Sequence, residues 1–333
     1  MKMINVVTTL HGRNINQENQ NKIRAVNPDV NLQDATLFLS EELNGNLSHA
    51  KELDNMLGEA DVIFARVLPE NVIKRAPKLK WIQMSYAGME TVLKDKDLVD
   101  SPVTLTNASG VQAEAISEFV LAMMLAFDKR LLKLVEQKNQ KIWKSMLMVG
   151  LASQTVGILG LGSIGKELAR KAKALGMHVI AYDRPRKSMR ARYVDQLVAG
   201  EEIDLVFKQS DFVACCLPLA PKTTGIIGAK EFRLMKPTAV FINVSRGPVV
   251  QEDALIRALQ EKWIAGAGLD VFEKEPLPQD SPLWEMPNVI ISPHCCGRLD
   301  DNDDRVVEFF VMNLKRYLNG KHLLNIVDKK AGF

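Results

Sequence analysis

The chain has 333 residues, 47% of them hydrophobic, with 43 Lys and Arg against 40 Asp and Glu. That length exceeds one ordinary core, so two domains are expected. The charges nearly cancel and are mixed along the chain, and nothing in them suggests a nucleic-acid groove or a basic membrane-binding face.

The N-terminal stretch "MKMINVVTTLHG" is too short and too soon polar to read as a signal peptide. Over the first third of the chain, "INVVTTL", "ATLFLS", "DVIFARV" and "KWIQMS" read as strands. "NINQENQNKIRAV", "SHAKELDNMLGEA" and "PENVIKRA" read as helices between or before them. Alternating βα units imply a parallel sheet with helices on its faces.

A long helical pattern follows from about Gln112 to Lys144. Its apolar residues Ile116, Phe119, Val120, Met123, Met124 and Phe127 keep the helical period. Its longest apolar run, "FVLAMMLAF", is far below bilayer length. A second βα series begins after it, with strands "TVGILG", "HVIAYD", "DFVACCL", "AVFINVS", "GAGLDVF" and "NVIISPH". The last helix pattern is "DDRVVEFFVMNLKRYLNG", and the acidic run Asp300 to Asp304 suits its positive N-terminal end. The second series lies between the first and this helix. In the economical arrangement the chain leaves one domain, builds a second, and returns.

The four cysteines form two adjacent pairs, Cys215-Cys216 and Cys295-Cys296, with no CxxC spacing. A reducing compartment, and so a cytoplasmic protein, is expected.

"GILGLGSIGKELARKAKALG" holds Gly160, Gly162 and Gly165 as GxGxxG after a strand-like run and at the start of an amphipathic helix. In that context the first glycine permits the tight turn and the second lets a pyrophosphate approach the backbone. The third lets helix and strand pack closely. Free N–H groups at the helix start then face the phosphates. Further on, "VIAYD" ends in Asp183, where ribose hydroxyls would sit. A carboxylate there accepts from both hydroxyls and repels a 2′-phosphate, which favours NAD. Arg184, Arg186 and Lys187 follow at once and keep NADP open.

Three stretches sit at or just after strand ends of the second series: "FINVSRGPVV" with Arg246, "GAGLDVFEKEPLP" with Asp270 and Glu275, and "ISPHCCG" with His294. Taken singly, each residue reads as structural: a surface ion pair, a loop residue before Pro276, a satisfied core histidine. Together, beyond the C-terminal ends of strands that carry a dinucleotide cradle, they point to chemistry. Reducing a 2-keto acid needs a planar cation for the carboxylate and ketone, which arginine supplies. It also needs a proton donor that works near neutral pH, which histidine supplies. A carboxylate beside the imidazole fixes its tautomer and favours its charged form. No metal role is expected for His294, because none of His11, His49, His178 or His322 stands at ligand spacing from it. Adjacent residues of an extended segment point to opposite sides, so Cys295 is not expected to pair with His294 as a nucleophile. Cys295 and Cys296 read as small wall or core residues.

These motifs, in this order and spacing, together with "PLAPKTTGIIG", "INVSRGPVVQEDALIRAL", "WIQMSYAGME" and "TNASGVQAEAISEFVLAMML", resemble the D-isomer-specific 2-hydroxyacid dehydrogenase family over nearly the whole chain. The resemblance implies an α/β protein of two doubly wound parallel-sheet domains. A flavodoxin-like substrate domain would comprise residues 1–103 and 297–333, and an inserted Rossmann cofactor domain residues 104–296, with a cleft between them.

The resemblance also implies site roles. Arg246 binds substrate, Glu275 supports the histidine, and His294 is the acid/base. Gly160, Gly162, Ser163, Ile164, Gly165, Asp183, Leu217, Pro218, Thr223 and Val244 hold the cofactor, and Asp270 contacts the nicotinamide amide. Backbone N–H groups near Ala87 and Gly88 help bind the substrate carboxylate. A homodimer through the cofactor domains is implied, with the helix ending near Trp143 embracing the partner. The expected substrates are glyoxylate, hydroxypyruvate or similar small 2-keto and 2-hydroxy acids.

The chain departs from the family pattern at three places. Ala220 stands where threonine is common, "WKSMLMVGLASQTVG" is methionine-rich, and "RLDDNDD" is unusual after the histidine. Two alternatives share the pattern. A dinucleotide-sensing protein like the C-terminal-binding corepressors would keep Arg246, Glu275 and His294, and a peptide-binding groove would mark it. A formate dehydrogenase-like enzyme would carry glutamine where Glu275 stands.

Overall fold

The computed structural model describes residues 3–10, 15–185 and 190–332. Its two compact units are Met1–Val111 with Leu299–Phe333, and Gln112–Arg298.

The first unit carries β1 (Ile4–Thr9), β2 (Val30–Asp34), β3 (Val62–Ala65), β4 (Trp81–Met84) and β5 (Thr104–Thr106), paired in parallel in the order β2-β1-β3-β4-β5. This is the flavodoxin-like strand order. The helices α1 (Gln17–Arg24), α2 (Thr36–Leu43), α3 (Ala50–Glu59), α4 (Val72–Arg75) and α5 (Lys96–Asp100) alternate with the strands. β3 and β4 are buried at every residue, which is why "VIFA" and "WI" run apolar without alternation.

One expected strand is a helix. "ATLFLS" falls at the start of α2, because β2 already occupies the place beside β1. The Asp34 carboxylate takes the Thr36 amide and turns the chain, and Leu39 is buried while Leu37 faces solvent.

The second unit begins with α6 (Ala113–Asp128) and α7 (Leu131–Gln140), then β6 (Thr155–Leu159), α8 (Ser163–Ala174), β7 (His178–Tyr182) and β8 (Gln196–Val198). It continues with α9 (Ile203–Gln209), β9 (Phe212–Cys215), α10 (Ala229–Leu234), β10 (Val240–Asn243), α11 (Glu252–Gln260), β11 (Gly266–Leu269) and β12 (Val289–Ile291). The parallel order is β12-β11-β10-β9-β6-β7-β8. Strand order reverses between β6 and β9, the switch point where doubly wound sheets bind dinucleotides. The chain then returns to the first unit as α12 (Asn302–Leu318), with Asp303 and Asp304 in its first turn. Phe310 of α12 is fully buried and stacks on Phe64 at 4.3 Å, a burial that contributes on the order of 1.5–3 kcal/mol.

The single helix expected from Gln112 to Lys144 is broken. Arg130 sits at φ 50° between α6 and α7, and Lys141 at φ 56° ends α7. The buried face of α6 stops where the core stops: Leu131, Leu132, Leu134 and Val135 on α7 are exposed. The domain crossings also move. The first unit runs to residue 111 rather than 103, because Thr104–Thr106 is β5 and pairs with β4. The second runs to residue 298, because Gly297 packs within van der Waals reach of Gln112 and Ile116 of its own unit.

Candidate active site

The cofactor residues named from sequence lie at the C-terminal ends of the second sheet. Gly160 follows β6 directly at φ 98°, a conformation that disfavours any side chain, and a Cβ there would press on the Cys216 carbonyl at 3.0 Å. Gly162 precedes Ser163 and Ile164, which open α8. A Cβ on Gly165 would stand 2.0 Å from the Gly160 carbonyl, so helix and loop touch there. A Cβ on Gly162 would meet nothing within 4 Å.

Asp183 follows β7, is half-buried, and donates its amide to Val198 at 3.1 Å. Arg184 beside it is exposed, while Arg186 and Lys187 lie outside the described residues. Past β9, Leu217 is buried and Pro218 exposed. The Thr223 hydroxyl donates to the Pro218 carbonyl at 2.6 Å and accepts from the Ala220 amide at 2.9 Å, so it shapes this loop. Val244, buried after β10, donates its amide to Cys215.

Arg246, Glu275 and His294 follow β10, β11 and β12, three adjacent parallel strands. Arg246 is half-buried, and its Nη1 donates to the Ser245 carbonyl at 2.7 Å. Its neighbour Gly247 packs against the turn that leads to Glu275: a Cβ there would fall 1.7 Å from the Phe272 carbonyl. Only glycine lets these two loops meet. Glu275 Oε1 takes the Phe272 amide at 3.1 Å, and Oε2 stands 2.7 Å from His294 Nδ1. With Nδ1–H donating to the carboxylate, Nε2 is the nitrogen left for chemistry. His294 itself sits at φ 51°, the left-handed region that non-glycine residues rarely adopt. Its amide is held by the Asp270 carbonyl at 2.8 Å. The segment is therefore not extended at His294, so the expectation that Cys295 must point away from it loses its premise.

Asp270 is the hub of this loop. Its Oδ1 accepts the Ser292 hydroxyl and the amides of Cys295 (2.9 Å) and Cys296 (3.1 Å). Its Oδ2 is buried with no hydrogen-bond partner among the described residues. Burial, and then the Asp270 carboxylate, push the Cys296 thiol up, and burial pushes Cys215 and Cys216 up as well. These thiols stay protonated and are poor nucleophiles. In the first unit, Tyr86, Ala87 and Gly88 follow β4. The Tyr86 and Ala87 carbonyls are taken by the Ala108 amide and Asn107 Nδ2. The described residues contain no group of three or more His, Cys, Asp or Glu able to hold a metal.

Residues 121–296 match the family model described as "D-isomer specific 2-hydroxyacid dehydrogenase, NAD binding domain". The chain belongs to the D-isomer specific 2-hydroxyacid dehydrogenase family. It is 35% identical to a glyoxylate reductase of Korarchaeum cryptofilum over 78% of this chain and 79% of that one. Among solved structures it is similar to a family member from Xanthobacter autotrophicus Py2 in complex with NADPH and MES, with TM-score 0.84, 28% identity, and 99% and 100% of the two chains covered. It is also similar to an NADPH-dependent glyoxylate/hydroxypyruvate reductase from Sinorhizobium meliloti in complex with NADP and sulfate, with TM-score 0.82, 27% identity, and 98% and 99% covered.

The protein is thus an oxidoreductase of that family, acting on a CH–OH donor or its keto counterpart with NAD or NADP. Two observations fit a dinucleotide here. The open space at Gly162 is what a pyrophosphate needs for close approach. The unpartnered Asp270 Oδ2 is a buried acceptor in want of a donor. Among the described residues, no helix is long and apolar enough to cross a membrane.

Two contributors escaped the sequence reading. Gly247 carries a signal, a glycine before Pro248 just after the arginine. Ser292 carries almost none, because its importance comes from Asp270, which follows a different strand.

Proposed function

We propose that the protein reduces a small 2-keto acid such as glyoxylate or hydroxypyruvate to the 2-hydroxy acid. The observation that carries this reading is the oriented Glu275–His294 pair, 2.7 Å apart, on the strand ends next to Arg246. The glyoxylate reductase relatives support the substrate class. The Arg246 guanidinium takes the substrate carboxylate and polarises the ketone with its planar fork. NADH or NADPH, when bound, supplies the hydride to the carbonyl carbon. His294 Nε2 gives its proton to the carbonyl oxygen and takes it back in oxidation. Glu275 stabilises the imidazolium and holds the ring. Gly160, Gly162, Ser163, Ile164 and Gly165 cradle the pyrophosphate, and Leu217, Pro218, Thr223 and Val244 border the same crevice. Asp183 takes the ribose diol and favours NADH.

The protein acts in the cytoplasm, consistent with four free cysteines. It works as a homodimer through the second unit, where α7 and the segment after it expose Leu131, Val135, Trp143 and Leu147. Light scattering on the purified chain checks this, and a monomer at assay concentration would rule it out.

The test of activity is a panel of 2-keto acids with NADH and with NADPH, followed by loss of reduced-nicotinamide absorbance. Turnover of glyoxylate or hydroxypyruvate is expected. Tight cofactor binding with no turnover of any keto acid would favour a dinucleotide-sensing role instead.

A further inference from the structure

Ser292 is buried between β12 and His294, and no role in the reaction described above uses it. Its amide donates to the Leu269 carbonyl at 2.9 Å, and its hydroxyl donates to Asp270 Oδ1. Both bonds run from the end of β12 to the end of β11, so Ser292 is anchored to the residue just before Asp270. The other two donors to Oδ1, the Cys295 and Cys296 amides, belong to the loop beyond His294. That loop is itself tied down through Asp270, by the His294 amide on its carbonyl. The Ser292 hydroxyl is therefore the one donor to this oxygen that the strand pair places independently of the loop.

A carboxylate accepts through both oxygens. Here Oδ1 has three donors, the Cys296 thiol stands beside the carboxylate as a further weak donor, and Oδ2 is buried with no partner at hydrogen-bond geometry among the described residues. A buried acceptor without a donor is costly, and turning the carboxylate would share the donors out. Filling Oδ1 opposes that turn.

We propose that Ser292 is a positioning residue for the cofactor: by holding Asp270 through Oδ1, it keeps Oδ2 presented to the carboxamide N–H of the nicotinamide. The proposal rests on the reading of Asp270 as the nicotinamide contact. Ser292 touches neither cofactor nor substrate and acts only through Asp270.

The experiment compares NADH with ADP-ribose, which carries the adenine, both riboses and the pyrophosphate but no nicotinamide. Dissociation constants are measured for the full-length wild type, Ser292→Ala, Ser292→Thr and Asp270→Ala, by fluorescence for NADH and calorimetry for ADP-ribose. Ser292→Ala should weaken NADH by roughly 3- to 10-fold, the scale of one hydrogen bond to a charged group. It should leave ADP-ribose unchanged, and Ser292→Thr, which keeps the hydroxyl, should restore NADH. Equal weakening of both ligands would mean that Ser292 holds the fold, and the proposal fails. If Asp270→Ala weakens NADH and Ser292→Ala does not, the Ser292 inference alone falls. If neither does, the Asp270 contact is wrong and the inference falls with it.

Discussion

Glu275 meets His294 with one carboxylate oxygen, at 2.7 Å from Nδ1, and takes the Phe272 amide with the other at 3.1 Å. A carboxylate held at both ends cannot swing away when the imidazole changes charge. The turn that carries it is clamped in addition by Gly247 against the Phe272 carbonyl, and by Glu252, whose carboxylate takes the Glu273 amide at 2.9 Å. Support of this kind fixes the ring, and in the proposed reaction Nε2 is the nitrogen that exchanges the proton.

Keto-acid reduction consumes a proton, and the proposed role of His294 requires it charged for reduction and neutral for hydroxy-acid oxidation. The pH profiles of the two directions should therefore be mirror images through one shared group. In Glu275→Gln the ring loses the carboxylate that takes its Nδ1–H, so turnover in both directions should fall. His294→Ala should cost roughly 10²–10⁴-fold in rate. NADH binding by fluorescence should change little in either variant. Turnover unchanged in Glu275→Gln would break the assignment of the pair.

Arg246→Lys keeps the charge and loses the fork. A loss of about 2–5 kcal/mol of transition-state stabilisation is expected, the scale for disrupting one partner of a buried charge pair. Steady-state kinetics should show it in both turnover and substrate affinity. Near-normal kinetics with lysine would make Arg246 structural.

The proposed reading assigns the choice of cofactor to the charge of Asp183. NADH should exceed NADPH in kcat/KM for the wild type, and Asp183→Ala should narrow the gap by removing the charge that repels a 2′-phosphate. The comparison is informative because the Sinorhizobium neighbour is NADPH-dependent. A wild-type preference for NADPH would shift the weight to the basic residues after Asp183.

The glycines of the cradle should separate fold from binding. Gly162→Ala adds a methyl into open space, so the melting temperature should hold while NADH affinity falls roughly tenfold or more. Gly165→Ala drives a methyl onto the Gly160 carbonyl, which should cost about 1–3 kcal/mol of stability as well. Thermal melts beside NADH titrations read both. Equal affinity loss with an equal drop in melting temperature would remove the case for close phosphate approach at Gly162.

Much of the molecule was legible without coordinates. Strands such as "VIFA" and "TVGIL" are apolar because both faces of a parallel sheet are covered, and that leaves its mark in a single chain. GxGxxG before an amphipathic helix, and a strand ending in Asp183, are likewise local patterns, since loop and helix are neighbours in sequence. The same locality placed Arg246, Glu275 and His294 on strand ends. Tertiary structure decided the rest. "ATLFLS" is a helix because β2 had already filled the sheet position, and the helix after Gln112 stops where its core stops. Which groups touch was also invisible: Glu275 and His294 follow different strands, as do Asp270 and Ser292. A hydrogen bond depends on separation in space to within tenths of an ångström, and residue spacing along the chain carries that information only within one helix, strand or turn.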